Sequence, residues 1–377
     1  MLANWIGFGS VFFLLGLAIF FLKNRHETSG SNLYLGLLFL LQAISNFHFF
    51  ICRLSEIINQ VPYLIHFSAG FRFLWGVLLY FFVQSYIGKT IKYQGWAWLH
   101  FVPAVVATLF FYGKLFFVPS HEIHEYIALI KQDKHPINRP YHLLLFLSNV
   151  SYLIASLLTL LKYRLSLTTY FSNTDKLRLE WLFNVLLFLV IFHFILPLGY
   201  GLLTIKFFPY VPLLQLPILT FVAWKCYTKP VLFNTLASFS LENAVSSKEE
   251  SKAIAALPSV LDDDFNTVLL TYMEEKKPYL NAELTIKMMS DDLSIQSYQL
   301  SKILNQHFQK NFFDFINTYR VEEAKKKLLA NAYEHLTLEG IGYECGFNSK
   351  SSFYAVFKKY VNQTPAEYRK GMLMNVD

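Results

Sequence analysis

The sequence predicts an all-α chain in two parts: a polytopic bundle of seven membrane-spanning helices, then a cytoplasmic, all-helical domain with two helix-turn-helix units. Three observations carry this. Of 377 residues, 54% are hydrophobic, 18% aromatic and 16% charged, too apolar a balance for an ordinary soluble protein. Seven stretches before residue 230 each supply the roughly 20 apolar residues needed to cross a bilayer core of about 30 Å. After residue 264 the pattern changes to short amphipathic helices separated by polar turns. The expected domains are 1–229 as sensor or anchor, 230–263 as juxtamembrane linker and 264–377 as the paired-turn domain.

In chain order the expected spans run from about Trp5 to Leu22, Leu33 to Leu54, Tyr63 to Ile87, Trp98 to Val118, His142 to Tyr163, Trp181 to Ile205 and Phe208 to Tyr227. Prolines and glycines at Pro197, Gly199, Gly201, Pro209, Pro212 and Pro217 are expected to kink or interrupt the last two. The first span lacks a preceding positive residue and a small-residue cleavage site, so it is expected to be an anchor rather than a cleaved signal. Lys23, Arg25, Lys89, Lys92, Lys162, Arg164, Lys176 and Arg178 follow the odd-numbered spans, and Lys225 and Lys229 close the seventh. By the positive-inside rule those sides are cytoplasmic, which puts the N-terminus outside and the C-terminal domain inside, in what would be a bacterial inner membrane.

Ionisable groups within spans are costly and therefore candidates for function. Arg72 is expected near the middle of the third span, with His48, His66 and His193 in the outer half or at mid-depth. Together they suggest an outward-facing pocket for an anionic small molecule or lipid headgroup; the alternative is ordinary packing and backbone hydrogen bonds. Lys114 is expected to snorkel, and Lys225 has no carboxylate at hand to make it a retinal-type lysine. His121, His124 and His135 in the loop from Pro119 to Pro140 lack the spacing of a metal site. Cys52, Cys226 and Cys345 are scattered, suggesting neither a disulfide framework nor a metal centre.

The linker loses apolar density and carries SSKEESK and the run Asp262-Asp263-Asp264. Phe265, Val268, Leu269, Tyr272 and Met273 then form a helical stripe, read as a lid on the following core rather than a dimer seam. In the first turn unit Leu284, Met288 and Leu293, then Leu300, Ile303, Leu304 and Phe308, are expected to face inward about a corner at Asp291 to Gln296. The outer face then shows Ser297, Tyr298, Ser301, Lys302 and Asn305, side chains able to bond or stack on base edges in a major groove. In the second unit Leu338, Ile341, Phe353, Val356 and Phe357 face inward, Gly346 makes the turn, and Lys350, Ser351, Ser352, Tyr354 and Lys358 face out. A strong helix former around Phe312 to Leu328 joins the units, with Lys325 to Lys327 placed well for its dipole. Thr364-Pro365-Ala366-Glu367 reads as a capping box opening a last helix.

The residues Leu300-Ser301-Lys302, Phe315-Ile316-Asn317 with Arg320 and Ala324, Cys345-Gly346-Phe347 with Ser349, Phe353, Phe357-Lys358, and Thr364-Pro365 with Tyr368-Arg369 keep one order and spacing. In them the last quarter to third of the chain resembles the DNA-binding domain of AraC/XylS-family transcription regulators. The resemblance implies that Ser297, Tyr298, Ser301 and Lys302 enter one major groove and Lys350, Ser351, Ser352 and Tyr354 the next, about 34 Å away on one face of the duplex. The sequence departs from the family pattern at Gln296 (usually a Ser cap), Gly342 (usually Ala) and Ala355 (often Arg). The base preference at that last point is therefore not inherited.

The formal charge of +7 is misleading as a nucleic-acid signature. Cut at Leu261, the membrane part carries +9 and the remainder −2, so DNA affinity has to come from local placement of Lys302, Lys310, Arg320, Lys325, Lys326, Lys327, Lys350, Lys358, Lys359, Arg369 and Lys370. No nucleotide loop, nucleophile elbow or paired catalytic carboxylates is visible, so neither an enzyme nor a cofactor is expected. The expected function is a membrane-embedded one-component transcription regulator whose partners are double-stranded DNA, the lipid bilayer, an unidentified cue and a second copy of the chain. Two rivals stand beside it: a receptor or transporter whose helical domain binds a protein, and a membrane part that merely tethers.

Overall fold

The structure is a computed structural model describing residues 2–25, 30–52, 55–89, 91, 95–132, 134–175, 177–203, 211–228, 262–330, 333 and 335–374. The described residues are helical apart from turns and one isolated bridge, Phe171 with Thr285. They divide into two units: 2–161 with 180–228, and 162–179 with 262–374. The second unit thus includes a segment, 162–179, that the sequence alone assigns to the membrane part. The linker expected at 230–263 falls almost wholly outside the described residues.

The first unit opens with α1 (Leu2–Lys23) and α2 (Ser31–Ile51), packed against each other. They approach closely at Gly36, where a Cβ would meet the Leu22 amide nitrogen at 3.1 Å. A buried polar ladder crosses the pair, Gln42 donating to Asn46 Oδ1 at 2.9 Å and Asn46 to Ser10 Oγ at 3.0 Å. These bonds satisfy amides that would be expensive to leave bare among apolar side chains. A short helix, α3 (Ser55–Gln60), follows.

The third expected span is not one regular α-helix. Pro62–His66 and Phe71–Phe73 are 3₁₀ turns, and α4 begins only at Leu74, running to Tyr86. Pro62 cannot continue a preceding helix, and Gly70 lies against the Ala104 carbonyl and Thr108, where a side chain has no room. Next come a 3₁₀ turn at Gly95–Phe101, α5 (Val102–Phe116) and α6 (Ile123–Lys131). The loop expected from Pro119 to Pro140 therefore contains a helix, because Tyr126 and Ile127 have an apolar face to bury against Ile58, Ile65 and Leu115.

Helix α7 (Asn138–Tyr170) has 33 residues, about 50 Å of helix against a bilayer core of about 30 Å. Gly76 donates its N–H to Asn149 Oδ1 at 3.1 Å, joining α4 to α7. Then come α8 (Glu180–Leu203) and α9 (Val211–Thr228). Each runs through a proline, Pro197 and Pro217, so those residues interrupt neither helix.

Four helical runs among the described residues are long and apolar enough to cross a membrane: Ser31–Ile51, Pro62–Tyr86, Trp96–Phe116 and Asn138–Tyr170. Phe8–Lys23 of α1 and Glu180–Phe192 of α8 are apolar as well, over the part of each helix whose side chains are described. Against the seven expected, four are seen among the described residues.

The second unit has two small cores strung on one helix. After α10 (Asp262–Lys276) come α11 (Ile286–Asp292), α12 (Ser297–His307), α13 (Phe312–Leu329), α14 (Leu338–Glu344), α15 (Lys350–Val361) and α16 (Pro365–Met374). Phe312, Phe315 and Ile316 of α13 join Leu269, Met273, Ile286, Met289, Leu300 and Leu304 in the first core. Farther along, Val321, Ala324 and Leu328 join Ile341, Cys345, Phe347, Phe353, Val356 and Phe357 in the second. Helix α10 lies as a lid on the first core through Leu269 and Met273, whereas Val268 of the same expected stripe is exposed.

Candidate nucleic-acid interface

Each turn unit is built from a short supporting helix and a following helix with a polar face. In the first, Thr285 caps α11 by accepting from the Met288 N–H at 3.2 Å. The chain turns through Ser294 at φ 54 and enters α12. Gln296, in the place of a serine cap, donates its backbone N–H to the Gln299 side chain at 3.0 Å, so one of the four donors at that end is satisfied by the residue at the third helical position. Leu300 and Leu304 are buried. Lys302 and Asn305 are exposed, with Ser297, Tyr298 and Ser301 half-exposed, all on the outer side as expected. Asn305 turns its amide back to the Ser301 carbonyl at 2.8 Å. Met288 does not face inward: it is 43% exposed, and Met289 takes the core position.

The second unit begins with α14, capped by Thr337, which accepts from Gly340 N–H at 3.0 Å. The turn is made by Gly346 at φ 85, packed against the Tyr279 carbonyl, a place and conformation that exclude a Cβ. Gly342, the departure from alanine, is explained by Phe353: a Cβ there would lie 2.8 Å from the ring. Ser349 caps α15 by accepting from Ser352 N–H at 3.1 Å. Lys350, Ser351 and Lys358 are exposed, and Lys350 lies 5.8 Å from the Tyr354 ring, which is half-buried against the second core. Ser352 departs from expectation. It is buried, at 8% exposure, because a residue three after the cap sits beneath the first turn beside Phe353 rather than on the outer face. Ala355 is exposed.

Five of the basic residues expected to face DNA have partners within the protein: Lys310 donates to Thr318 Oγ1 at 2.9 Å and Lys325 pairs with Glu322 at 2.7 Å. Lys327 is buried and donates to the Glu344 carbonyl at 3.1 Å. Lys359 pairs with Asp314 at 2.6 Å. Arg320 is wholly buried and donates to the carbonyls of Tyr279 (2.7 Å), Asn281 (2.8 Å) and Ser172 (2.9 Å) and to Ser172 Oγ (3.0 Å). Burial pushes its pKa down to about 10, which leaves it cationic at neutral pH, held by neutral oxygens alone. Nothing in the spacing of the sequence singles out Ser172 as its partner, 148 residues away. The caps Thr285, Asn311, Thr337 and Ser349 were findable, since each is a Thr, Asn or Ser immediately before a helical pattern.

In the first unit Arg72 lies in the 3₁₀ turn ahead of α4, not in the middle of a helix. His48 and His66 are buried near it, but their ring nitrogens serve the fold. His48 Nε2 contacts the Leu64 carbonyl at 2.8 Å and Nδ1 the Ser68 hydroxyl at 2.6 Å, a pattern that a neutral Nε2–H imidazole satisfies. His66 Nε2 meets the Tyr126 hydroxyl at 2.7 Å. The Tyr141 hydroxyl donates to the Ala69 carbonyl at 3.0 Å in the same region. His193 lies outside the residues whose side chains are described.

Residues 289–371 match the family model described as a helix-turn-helix domain. Relatives include uncharacterized HTH-type transcriptional regulators of Staphylococcus aureus strains COL and MSSA476, each 32% identical over 111 residues. That match takes in 29% of this chain and 14% of the length of those relatives. A Listeria innocua protein of unknown function, whose structure is solved, is 28% identical over 28% of this chain and 94% of its own, with a TM-score of 0.25. With two capped turn units on a shared helix and this family match over the same residues, the C-terminal part of the chain is an AraC-type helix-turn-helix domain.

Proposed function

We propose that the chain is a membrane-embedded transcription regulator that reads DNA through α12 and α15. The observation that carries the reading is the construction of the second unit: two capped helices, each with its apolar side in a separate core and a polar, partly basic side outward, joined by α13. With 18 residues, α13 is about 27 Å long, a span comparable with one turn of duplex. In this reading Ser297, Tyr298, Ser301, Lys302 and Asn305 face one groove and Lys350, Ser351, Tyr354 and Lys358 the next. Ser352, being buried, acts by packing.

Membrane embedding is supported by the four long apolar runs, and the proposed count of seven adds α1, α8 and α9. The same-side arrangement is supported independently by residues 162–179. That segment follows the fifth expected span and packs within the DNA-reading unit, as a cytoplasmic loop must if it is to meet a cytoplasmic domain. An external or membrane-borne cue would then shift the helices between two arrangements. Two copies held in one membrane gain affinity through effective concentration rather than new contacts. The Arg72 neighbourhood remains our candidate for an anionic cue, approached from Arg72 rather than from the two committed histidines.

Full-length protein in detergent, offered a random-sequence duplex pool, should enrich specific sequences. Tyr298→Ala should cost about 1–3 kcal/mol on the enriched duplex and relax its base preference. Lys350→Ala should weaken all duplexes and flatten the salt dependence by about one unit of slope. Equal retention of every duplex by all three proteins would count against groove reading and favour a protein partner for this domain.

A further inference from the structure

The loop that leaves α7 enters the DNA-reading unit and ends at its second reading helix. Phe171 makes the bridge with Thr285, and Ser172 donates to the Leu284 carbonyl through both its N–H (3.3 Å) and its hydroxyl (2.7 Å). Arg320 grips Ser172 from the other side, through its carbonyl and its hydroxyl, and Asn317 donates to the Ser172 carbonyl at 3.4 Å. At Asp175 the loop reaches Ser349, whose hydroxyl donates to the carboxylate at 2.8 Å. Ser349 is the cap of α15. The first turn of a helix presents unpaired N–H groups and a partial positive charge, and in a groove-reading helix the anion that such a turn meets is a DNA phosphate.

We propose that residues 171–175 are an internal competitor of DNA: the Asp175 carboxylate holds the place of a backbone phosphate at Ser349, and α15 engages its groove when this loop withdraws. This rests on the DNA-reading function proposed above and specifies how it is regulated.

The contact has the character of one made to be released. Both polar atoms of the Asn173 side chain, and Oδ1 of Asn348 next to Ser349 in the chain, are buried without a hydrogen-bond partner; withdrawal hydrates them and offsets part of what the broken bonds cost. The Asp175–Ser349 bond is exposed to solvent and therefore weak. Arg320 gives up its two bonds to Ser172 when the loop leaves but keeps those to the Tyr279 and Asn281 carbonyls, which lie within the reading domain itself. The loop is also the direct continuation of α7, one of the long apolar helices. A displacement of the end of α7 therefore reaches Ser349 through a few residues of chain, without passing through 229–261.

The test uses the full chain in detergent and the duplex that the wild type enriches from a random pool. Asp175→Asn should bind that duplex more tightly, by up to about fivefold. The paired change Asp175→Cys with Ser349→Cys should cross-link under mild oxidation; the oxidised protein should bind at least about tenfold more weakly than the same protein reduced, with recovery on adding dithiothreitol. If a duplex is enriched but Asp175→Asn binds no more tightly and the cross-linked and reduced forms bind alike, the competitor is overturned while DNA reading stands. Failure of the cysteines to cross-link also overturns it, since the loop is then not seated at Ser349. If no duplex is enriched by any form, DNA reading itself falls.

Discussion

Gly342 shows how one residue departs from a family pattern for a local reason. Alanine is the better helix former by about 1 kcal/mol, yet a Cβ at this position would meet Cγ and Cδ1 of Phe353 at 2.8 Å and Cβ of the same residue at 3.1 Å. The base of a buried ring cannot swing aside as the tip of a long side chain can, so the overpacking term, about 1–3 kcal/mol, outweighs the propensity gain. Gly342→Ala should therefore destabilise the second turn unit by about 1 kcal/mol net, read as faster amide exchange in α14 and α15. Slower exchange there would show that the ring has room to give. Arg320 carries the same lesson with a charge: the sequence counts it among the basic residues available to DNA, but its four hydrogen bonds to neutral oxygens make it an internal fastener.

Between elements, the tie that sequence reading passed over is Asp314 to α15. Its carboxylate accepts from Lys359 Nζ at 2.6 Å and from the Tyr360 hydroxyl at 2.7 Å, joining the start of α13 to the second reading helix. Partial burial works to raise this carboxyl, but the bonds from Lys359 and Tyr360 outweigh it and hold the pKa below the ordinary value near 3.8. A depressed folded-state pKa gives stability that is complete above the unfolded value and is lost as pH falls through the folded one. Compared with Asp314→Asn, wild-type exchange protection in α15 should be greater at neutral pH, and the difference should shrink below about pH 4. A gap that stayed constant into strong acid would mean that the carboxylate charge contributes nothing. Apolar periodicity located α12, α13 and α15, but it gave Met288 the inward place that Met289 occupies and left Ser352 outside. Helices as short as α11 offer too few turns for a period to be fixed to within one residue.

For the whole molecule, orientation is the claim with most resting on it. Lysine and arginine placement and the docking of 162–179 in the reading unit rest on different physics, the cost of moving cations across a bilayer and side-chain hydrogen bonding. The first assigns 162–179 to the cytoplasmic side in the proposed topology, and the second keeps the C-terminal domain with that segment. A reporter fused after Asp377 should be active if it requires the cytoplasm, and a tag in the 119–122 loop should be labelled by an impermeant reagent on intact cells. The reverse pattern would sink the arrangement.

By itself the sequence determined that the described residues of both parts are mainly helical, that the first part is apolar enough for lipid and that the last part carries paired turn units. Composition and period are summed over many residues, so one misplaced side chain does not change them. What the tertiary structure decided is who meets whom: the broken third span at Gly70, the histidines committed beside Arg72, and Arg320 closing on Ser172. Such contacts join residues far apart in the chain through hydrogen bonds and close approaches of a few ångströms, and no local pattern of residue types encodes that distance.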